Sequence, residues 1–335
     1  MPRTEFDIPG ISATSPHVQA AREHLLKWMK GYDLLPSDSR TQQLGSEDVA
    51  LLTAMGYPWA GSEELNILTD YLAVTWVIDD GLDTKFGREP HHVIKLVEQL
   101  CAVLDFHAVG PAPVVVDAFH DVWKRSVEVA SPHWQEHASH TWRAYFWGQA
   151  WETINRYRAM NALDLENYVS LWNICSGGAV WFEYVELGHE EFPPAWFHSP
   201  EVQNLRRAAN GVALAVDDLA SLEKEESDDD EHNFIKVMIN AHGYSREDAI
   251  AKAVAWGQEQ ADLMRRCYAR LQAYAEQRVG LDGTDIEKCL RAADAVLAGT
   301  RGYHDWALIS PRYGSHGIQV RGDGIDEPLR VRGLF

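Results

Sequence analysis

Apolar residues recur at steps of three and four along much of the chain, the period of a helix with one buried face. The clearest run is Ile250, Ala253, Val254, Gly257, Ala261, Met264, Tyr268, Leu271 and Ala275. It follows Ser245-Arg246-Glu247-Asp248, a capping-box-like start, and closes at Gly280. Ser-Pro pairs, with serine as cap and proline at the first helical position, predict further starts at Ser15-Pro16, Ser131-Pro132 and Ser199-Pro200. Proline is absent from Trp134 to Phe192 and through the 110 residues from Glu201 to Ser310. An interior proline costs a helix about 3 kcal/mol, so such stretches fit long helices. No segment alternates cleanly between apolar and polar with hairpin turns, and no solenoid-length repeat is present. The pattern predicts an all-α, single-domain bundle of roughly ten helices over residues 15–315. An N-terminal arm (1–14) and a C-terminal tail (316–335) flank it, the 34 or so residues at each end being richer in Pro, Gly, Ser and Asp.

Charge narrows the function. Against 30 Lys+Arg stand 50 Asp+Glu, a formal net charge of −20. Such a surface repels phosphate backbones and anionic lipid, which disfavours nucleic acid and membrane surfaces as partners. No apolar run is long enough to span a bilayer, and the start lacks a basic-then-apolar signal, so a cytoplasmic protein is expected. Cys101, Cys175, Cys267 and Cys289 have neither C-x-x-C nor zinc-finger spacing and read as buried, reduced thiols. His91-His92 beside Pro90 reads as a helix start. The 13 tryptophans are more than a core of this size usually holds.

Two acidic clusters carry candidate chemistry. In the first, the apolar stretch Leu72 to Ile78 runs directly into Asp79, Asp80 and then Asp83. Asp79 and Asp83 share a helix face, where like charges repel, and the apolar approach puts them near a core. A cation would relieve the conflict. In the second, Asp217, Ser221 and Glu225 stand at i, i+4 and i+8 behind the apolar run Val212 to Val216. Each four-residue step turns the helix about 400°, so the three oxygens fall within roughly 80° of arc. A column of hard oxygen ligands favours Mg²⁺.

Together, D-D-x-x-D and D-D-x-x-S-x-x-K-E resemble the metal motifs of class I terpene synthases of the compact bacterial type. Further matches are Trp151-Glu152-Thr153-Ile154-Asn155-Arg156, Asn167-Tyr168, Gly177-Gly178, His232-Asn233, and Trp306 through Ser310 to Arg312-Tyr313. The resemblance covers about residues 15 to 315. It implies an antiparallel α-bundle around a deep apolar cavity, three Mg²⁺ ions, and a prenyl diphosphate substrate, and it is compatible with a homodimer. By the motif match, Asp79 is the principal ligand of the first motif, with Asp80 and Asp83 beside it, and Asp217, Ser221 and Glu225 hold the remaining metal. Lys224, Arg312 and Tyr313 would donate to the diphosphate. Trp76, one turn before Asp79, and Trp306 are the candidates to stabilise carbocations through their ring faces; Trp181 and Phe182 come after them.

One departure stands out. The resemblance implies a diphosphate-sensing arginine four residues after the tyrosine of the helix before the Gly-Gly break. Counting from Tyr168 reaches Trp172, with Asn173 beside it, and the nearest arginines, Arg156 and Arg158, come too early. The expected activity is cyclisation of geranylgeranyl or farnesyl diphosphate, and the small Ala73, Val74, Val77 and Ala179 lean towards the longer substrate. Two alternatives remain open at this point: a silent relative that binds a prenyl lipid or a protein, and a chain-elongating prenyltransferase. The latter would need a second D-D-x-x-D where Ser221 and Glu225 stand.

Overall fold

The computed structural model describes residues 5–107, 110–158, 164–228, 231–277, 283–313 and 324–331. Within them every α- or strand-like element is helical. Fourteen α-helices follow one another: α1 (Val18–Gly31), α2 (Asp38–Glu47), α3 (Val49–Gly56), α4 (Ser62–Leu82), α5 (Pro90–Leu104), α6 (Val114–Val129), α7 (Pro132–Arg158), α8 (Leu165–Cys175), α9 (Gly178–Leu187), α10 (Pro194–Phe197), α11 (Pro200–Asp228), α12 (Phe234–His242), α13 (Arg246–Gln277) and α14 (Gly283–Ile309). The excess over ten comes from short pieces. Asp48, for example, sits in the left-handed region at φ 53° and is at once the C-cap of α2 and the N-cap of α3. No proline or glycine marks that break in the sequence.

Long helices begin close to the predicted caps. α7 and α11 start at Pro132 and Pro200, and Ser245 Oγ accepts from the Asp248 amide at 3.1 Å at the head of α13. α1 opens two residues later than its Ser-Pro pair, at Val18. Gly280, the expected end of α13, lies outside the described residues. The predicted face of that helix is buried at Ala253, Gly257, Ala261, Met264 and Leu271.

The centre of the bundle is α4, buried nearly all round from Leu65 to Ile78, as a helix apolar on every face must be. Short connections turn successive helices back on one another around it. The N-terminal arm lies across α13 and α14: Phe6 and Ile8 are buried, the Phe6 amide donates to His304 Nε2 at 3.2 Å, and Ser12 Oγ donates to Asp305 at 2.6 Å. Near the other end, a 3-10 turn at Glu327–Leu329 packs Leu329 against α4. A Cβ on Gly81, between the aspartates of the first motif, would come within 2.8 Å of the Leu329 methyls. Between α8 and α9 the chain breaks at Gly177, φ +76°, a conformation that glycine adopts without steric cost. The four cysteines are buried and free. No described helix is long and apolar enough to cross a membrane.

Candidate active site

The first acidic motif stands at the C-terminal end of α4, where the helix dipole is already negative. Three carboxylates there need cations, and two find them in the protein. Asp83 pairs with Arg156, which also lies 3.1 Å from Glu152. Asp80 accepts a hydrogen bond from Arg40 of α2 through Oδ2 and lies 3.3 Å from Arg312 Nη2 through Oδ1. Burial alone would raise the Asp80 carboxyl, but Arg312 and Arg40 outweigh it and hold it below the usual range. Asp79 has no cation within ion-pair distance among the described residues. Its closest polar partner is Gln149 Nε2 at 3.4 Å. Burial, then Asp83 and Asp80, push its carboxyl up to about 8. Of the three, Asp79 is the one left wanting a cation.

The second motif lies on α11. Asp217 Oδ1 accepts from Tyr303 at 2.8 Å and from Tyr313 at 2.5 Å. One turn on, Ser221 is buried, and its Oγ has no hydrogen-bond partner among the described residues. Glu225 accepts from Asn233 Nδ2 at 2.7 Å, and the same nitrogen donates to the Asp218 carbonyl. Asp218 faces the other way. It accepts from Tyr168 at 2.7 Å and from the Phe234 amide at 2.6 Å, tying α8 and α12 to α11. Burial, then Glu225 and Asp217, raise its carboxyl well above the usual range.

The two motifs, 138 residues apart in sequence, are brought to one end of the bundle by the dipeptide Arg312-Tyr313. Arg312 reaches Asp80, and its neighbour Tyr313 reaches Asp217. Lys224 is near enough for its charge to lower the Asp80 carboxyl. Trp76 and Trp306 meet at 5.9 Å between ring centroids, and Tyr303 and Tyr313 pack on Trp306 at 6.3 and 5.7 Å. The Arg312 guanidinium sits 4.4 Å over the Trp76 ring, so that face already receives a cation. Trp181 is pressed between α3 and α14, its indole carbons filling the space a Cβ on Gly56 would need. Phe182 is fully packed, its carbonyl accepting from Arg206.

The sequence reading passes over Arg40, Glu47, Gln149 and Tyr303. Gln149 Nε2 also donates to the Cys175 carbonyl at 2.6 Å, at the end of α8 just before the Gly177 break. At the place where an arginine was expected, Trp172 is buried and Asn173 Oδ1 accepts from Asn210 at 2.7 Å. No guanidinium fills that role from α8.

The donor set suits a hard divalent cation. It is all oxygen, it includes the orphaned Ser221 hydroxyl, and it carries surplus negative charge. Asp79, Asp80, Asp83, Asp217 and Glu225, with Glu47 and Glu152, face four cationic side chains among the described residues: Arg40, Arg156, Arg312 and Lys224. Among the described residues, His137, Glu183 and Glu186 also bring ligand atoms within 4.8 Å of one another. That trio is remote from the motifs. His137 lies 12 residues before Gln149 on α7, roughly 18 Å along the axis, and Arg206 bonds both of its carboxylates.

Known proteins resemble this chain over most of its length. The family described as "Terpene synthase family 2, C-terminal metal binding" matches residues 70–262, more than half of the chain. Pentalenene synthase of Streptomyces avermitilis is 28% identical over 317 residues, covering 92% of each chain. A (−)-β-caryophyllene synthase of Saccharothrix espanaensis, named as cyclising (2E,6E)-farnesyl diphosphate, is 28% identical and covers 93% of this chain and 89% of its own. The crystal structure of linalool/nerolidol synthase from Streptomyces clavuligerus with 2-fluorogeranyl diphosphate superposes with a TM-score of 0.78 at 25% identity, covering 91% of this chain and 98% of that one.

Proposed function

The chain belongs to terpene synthase family 2 and is a terpene cyclase; from that premise we propose that it ionises farnesyl diphosphate with Mg²⁺ and cyclises the cation. The observation that carries this reading is the Arg312-Tyr313 dipeptide, which joins an acidic motif short of cations to a second one with an orphaned hydroxyl. The C15 substrate is supported by the related caryophyllene and T-muurolol synthases, both named as cyclising farnesyl diphosphate.

In this reading Asp79 holds metal from the first motif, and Asp217, Ser221 and Glu225 hold it from the second. Bound Mg²⁺ supplies Lewis acidity, neutralising the diphosphate so that it can leave. The remaining work belongs to the chain. Lys224, Arg312 and Tyr313 donate to diphosphate oxygens, where charge-assisted bonds are strongest. Asp80 and Asp83, already occupied by arginines, act through those arginines. Trp306, and Trp76 once Arg312 turns from its ring to the diphosphate, present ring faces to the allylic cation without offering a nucleophile, worth up to about 2 kcal/mol each once water is gone. Ser221 and Glu225, in place of a second D-D-x-x-D, argue for cyclisation over chain elongation.

The test is incubation with geranyl, farnesyl and geranylgeranyl diphosphate in Mg²⁺, followed by gas chromatography–mass spectrometry. Cyclic C15 products from farnesyl diphosphate are expected. Cyclic C20 products with no turnover of farnesyl diphosphate would overturn the substrate assignment.

A further inference from the structure

Helix α2 buries an unusual set of side chains. Arg40, Gln43 and Glu47 are buried beside a single leucine, Leu44. Their spacing of three and four places them on one stripe. Burying two charges and an amide on a ten-residue helix costs stability unless specific partners return it. Here the partners are the first motif and Arg312. Arg40 Nη2 donates to Asp80 Oδ2, and Arg312 Nη2 lies 3.3 Å from Asp80 Oδ1. Arg312 Nη1 lies 3.2 Å from Glu47 Oε2, while Glu47 Oε1 is held by Gln43 Nε2 at 3.0 Å. Four charges therefore alternate in sign: Arg40, Asp80, Arg312, Glu47.

This chain of charges is incompletely satisfied. Arg40 Nη1, Arg312 Nη1 and Glu47 Oε2 are buried without a hydrogen-bond partner among the described residues. Glu47 thus holds Arg312 by charge and not by a hydrogen bond. An anion with several oxygens, of the diphosphate class, is the ligand that satisfies such donors. We propose that α2 is the diphosphate-responsive element of the site, with Arg40 fixing Asp80 as the counter-ion of Arg312 and Glu47 serving as the internal anion that diphosphate displaces from Arg312. The proposal rests on the diphosphate reading above and names positioning residues for it. It places the response on α2 and not on α8, where Trp172 and Asn173 occupy the position of the expected arginine.

Calorimetric titration of inorganic diphosphate in Mg²⁺ tests this on the wild type, Glu47→Gln, Arg40→Gln and Arg40→Lys, alongside KM and kcat with the accepted prenyl diphosphate. Removing the competing anion in Glu47→Gln is expected to tighten diphosphate about threefold to tenfold and to lower KM. Arg40→Gln is expected to weaken diphosphate about tenfold and to raise KM, with Arg40→Lys recovering part of the loss. A purely structural role would move melting temperatures and leave affinity per folded molecule alone. Wild-type affinity and KM in folded Glu47→Gln overturn the proposal, and that variant decides the matter if Arg40→Gln does not fold. If the wild type itself neither binds diphosphate nor forms product, the diphosphate reading falls with it. If the wild type binds and the variants match it, α2 alone is excluded.

Discussion

Arg206 and Arg312 are both buried guanidiniums facing two carboxylates and an aromatic ring, and they differ in how completely they are satisfied. Arg206 lies 2.6 Å from Glu183 and 2.7 Å from Glu186, donates to the Phe182 carbonyl at 3.1 Å, and covers the Phe197 ring at 4.9 Å. His137 and Thr141 complete Glu183, and the Phe192 amide completes Glu186. Arg312 holds Asp80 and Glu47 only at 3.3 and 3.2 Å, and its Nη1 has no hydrogen-bond partner among the described residues. In the first network both carboxylates and the guanidinium are hydrogen-bonded, though His137 Nε2 has no hydrogen-bond partner among the described residues, and the cluster contributes to the fold. The second is left short of hydrogen-bond partners at the end of the bundle where both acidic motifs meet. A polar cluster's function is better indicated by its unmet demand than by its burial or its charge count.

That contrast can be tested from both sides. The largest effect is expected at Asp79, the carboxylate without a cation. Asp79→Ala should lower product formation by roughly a thousandfold, the scale of several kcal/mol of lost metal-assisted charge stabilisation. Its melting temperature without metal should not fall, because the substitution removes repulsion from Asp83 and Asp80. Product assays and thermal melts on one preparation check both halves.

Next is Arg206→Met, which strands the buried Glu183 carboxylate and should cost about 3–5 kcal/mol in denaturant unfolding. Turnover per folded molecule should hold, because Arg206 lies 11 residues before Asp217 on α11, roughly 16 Å from the motif. Loss of turnover at full stability would erase the distinction between the two arginines.

The smallest effect concerns pH. Burial pushes the Glu186 carboxyl up to about 8 against the pull of Arg206, with Glu183 adding to the rise. The folded protein therefore holds a proton that the unfolded chain has released, and stability falls as pH climbs from the ordinary glutamate range towards 8. Glu186→Gln should flatten that slope. Melting temperature measured against pH shows it; an unchanged slope would place the proton elsewhere.

Much of this was legible beforehand, for identifiable reasons. Ser131-Pro132 and Ser199-Pro200 encode helix starts locally, and a cap needs only its neighbours to be recognised. The two acidic motifs stood out as candidate chemistry because apolar runs ending in acids conflict with folding unless something else is served. Arg40, Gln43 and Glu47 were not. On a short polar helix they look like a solvated face, and only the placement of α2 against α4 turns them inward. Tyr303 was hidden for the same reason: nothing in its neighbours on α14 indicates that its hydroxyl meets Asp217. Asp48, which splits α2 from α3, carries no breaker signal, so the short helices were undercounted.

The contact between Gly81 and Leu329 has a practical bearing on how the protein is handled. The last described turn of the chain fills a notch in the very helix turn that carries Asp79, Asp80 and Asp83. A truncation after Tyr313, or a bulky fusion at the carboxyl end, would uncover that notch from behind. A loss of activity in such a protein would then report on the back wall of α4, with Asp79, Asp80 and Asp83 still in place.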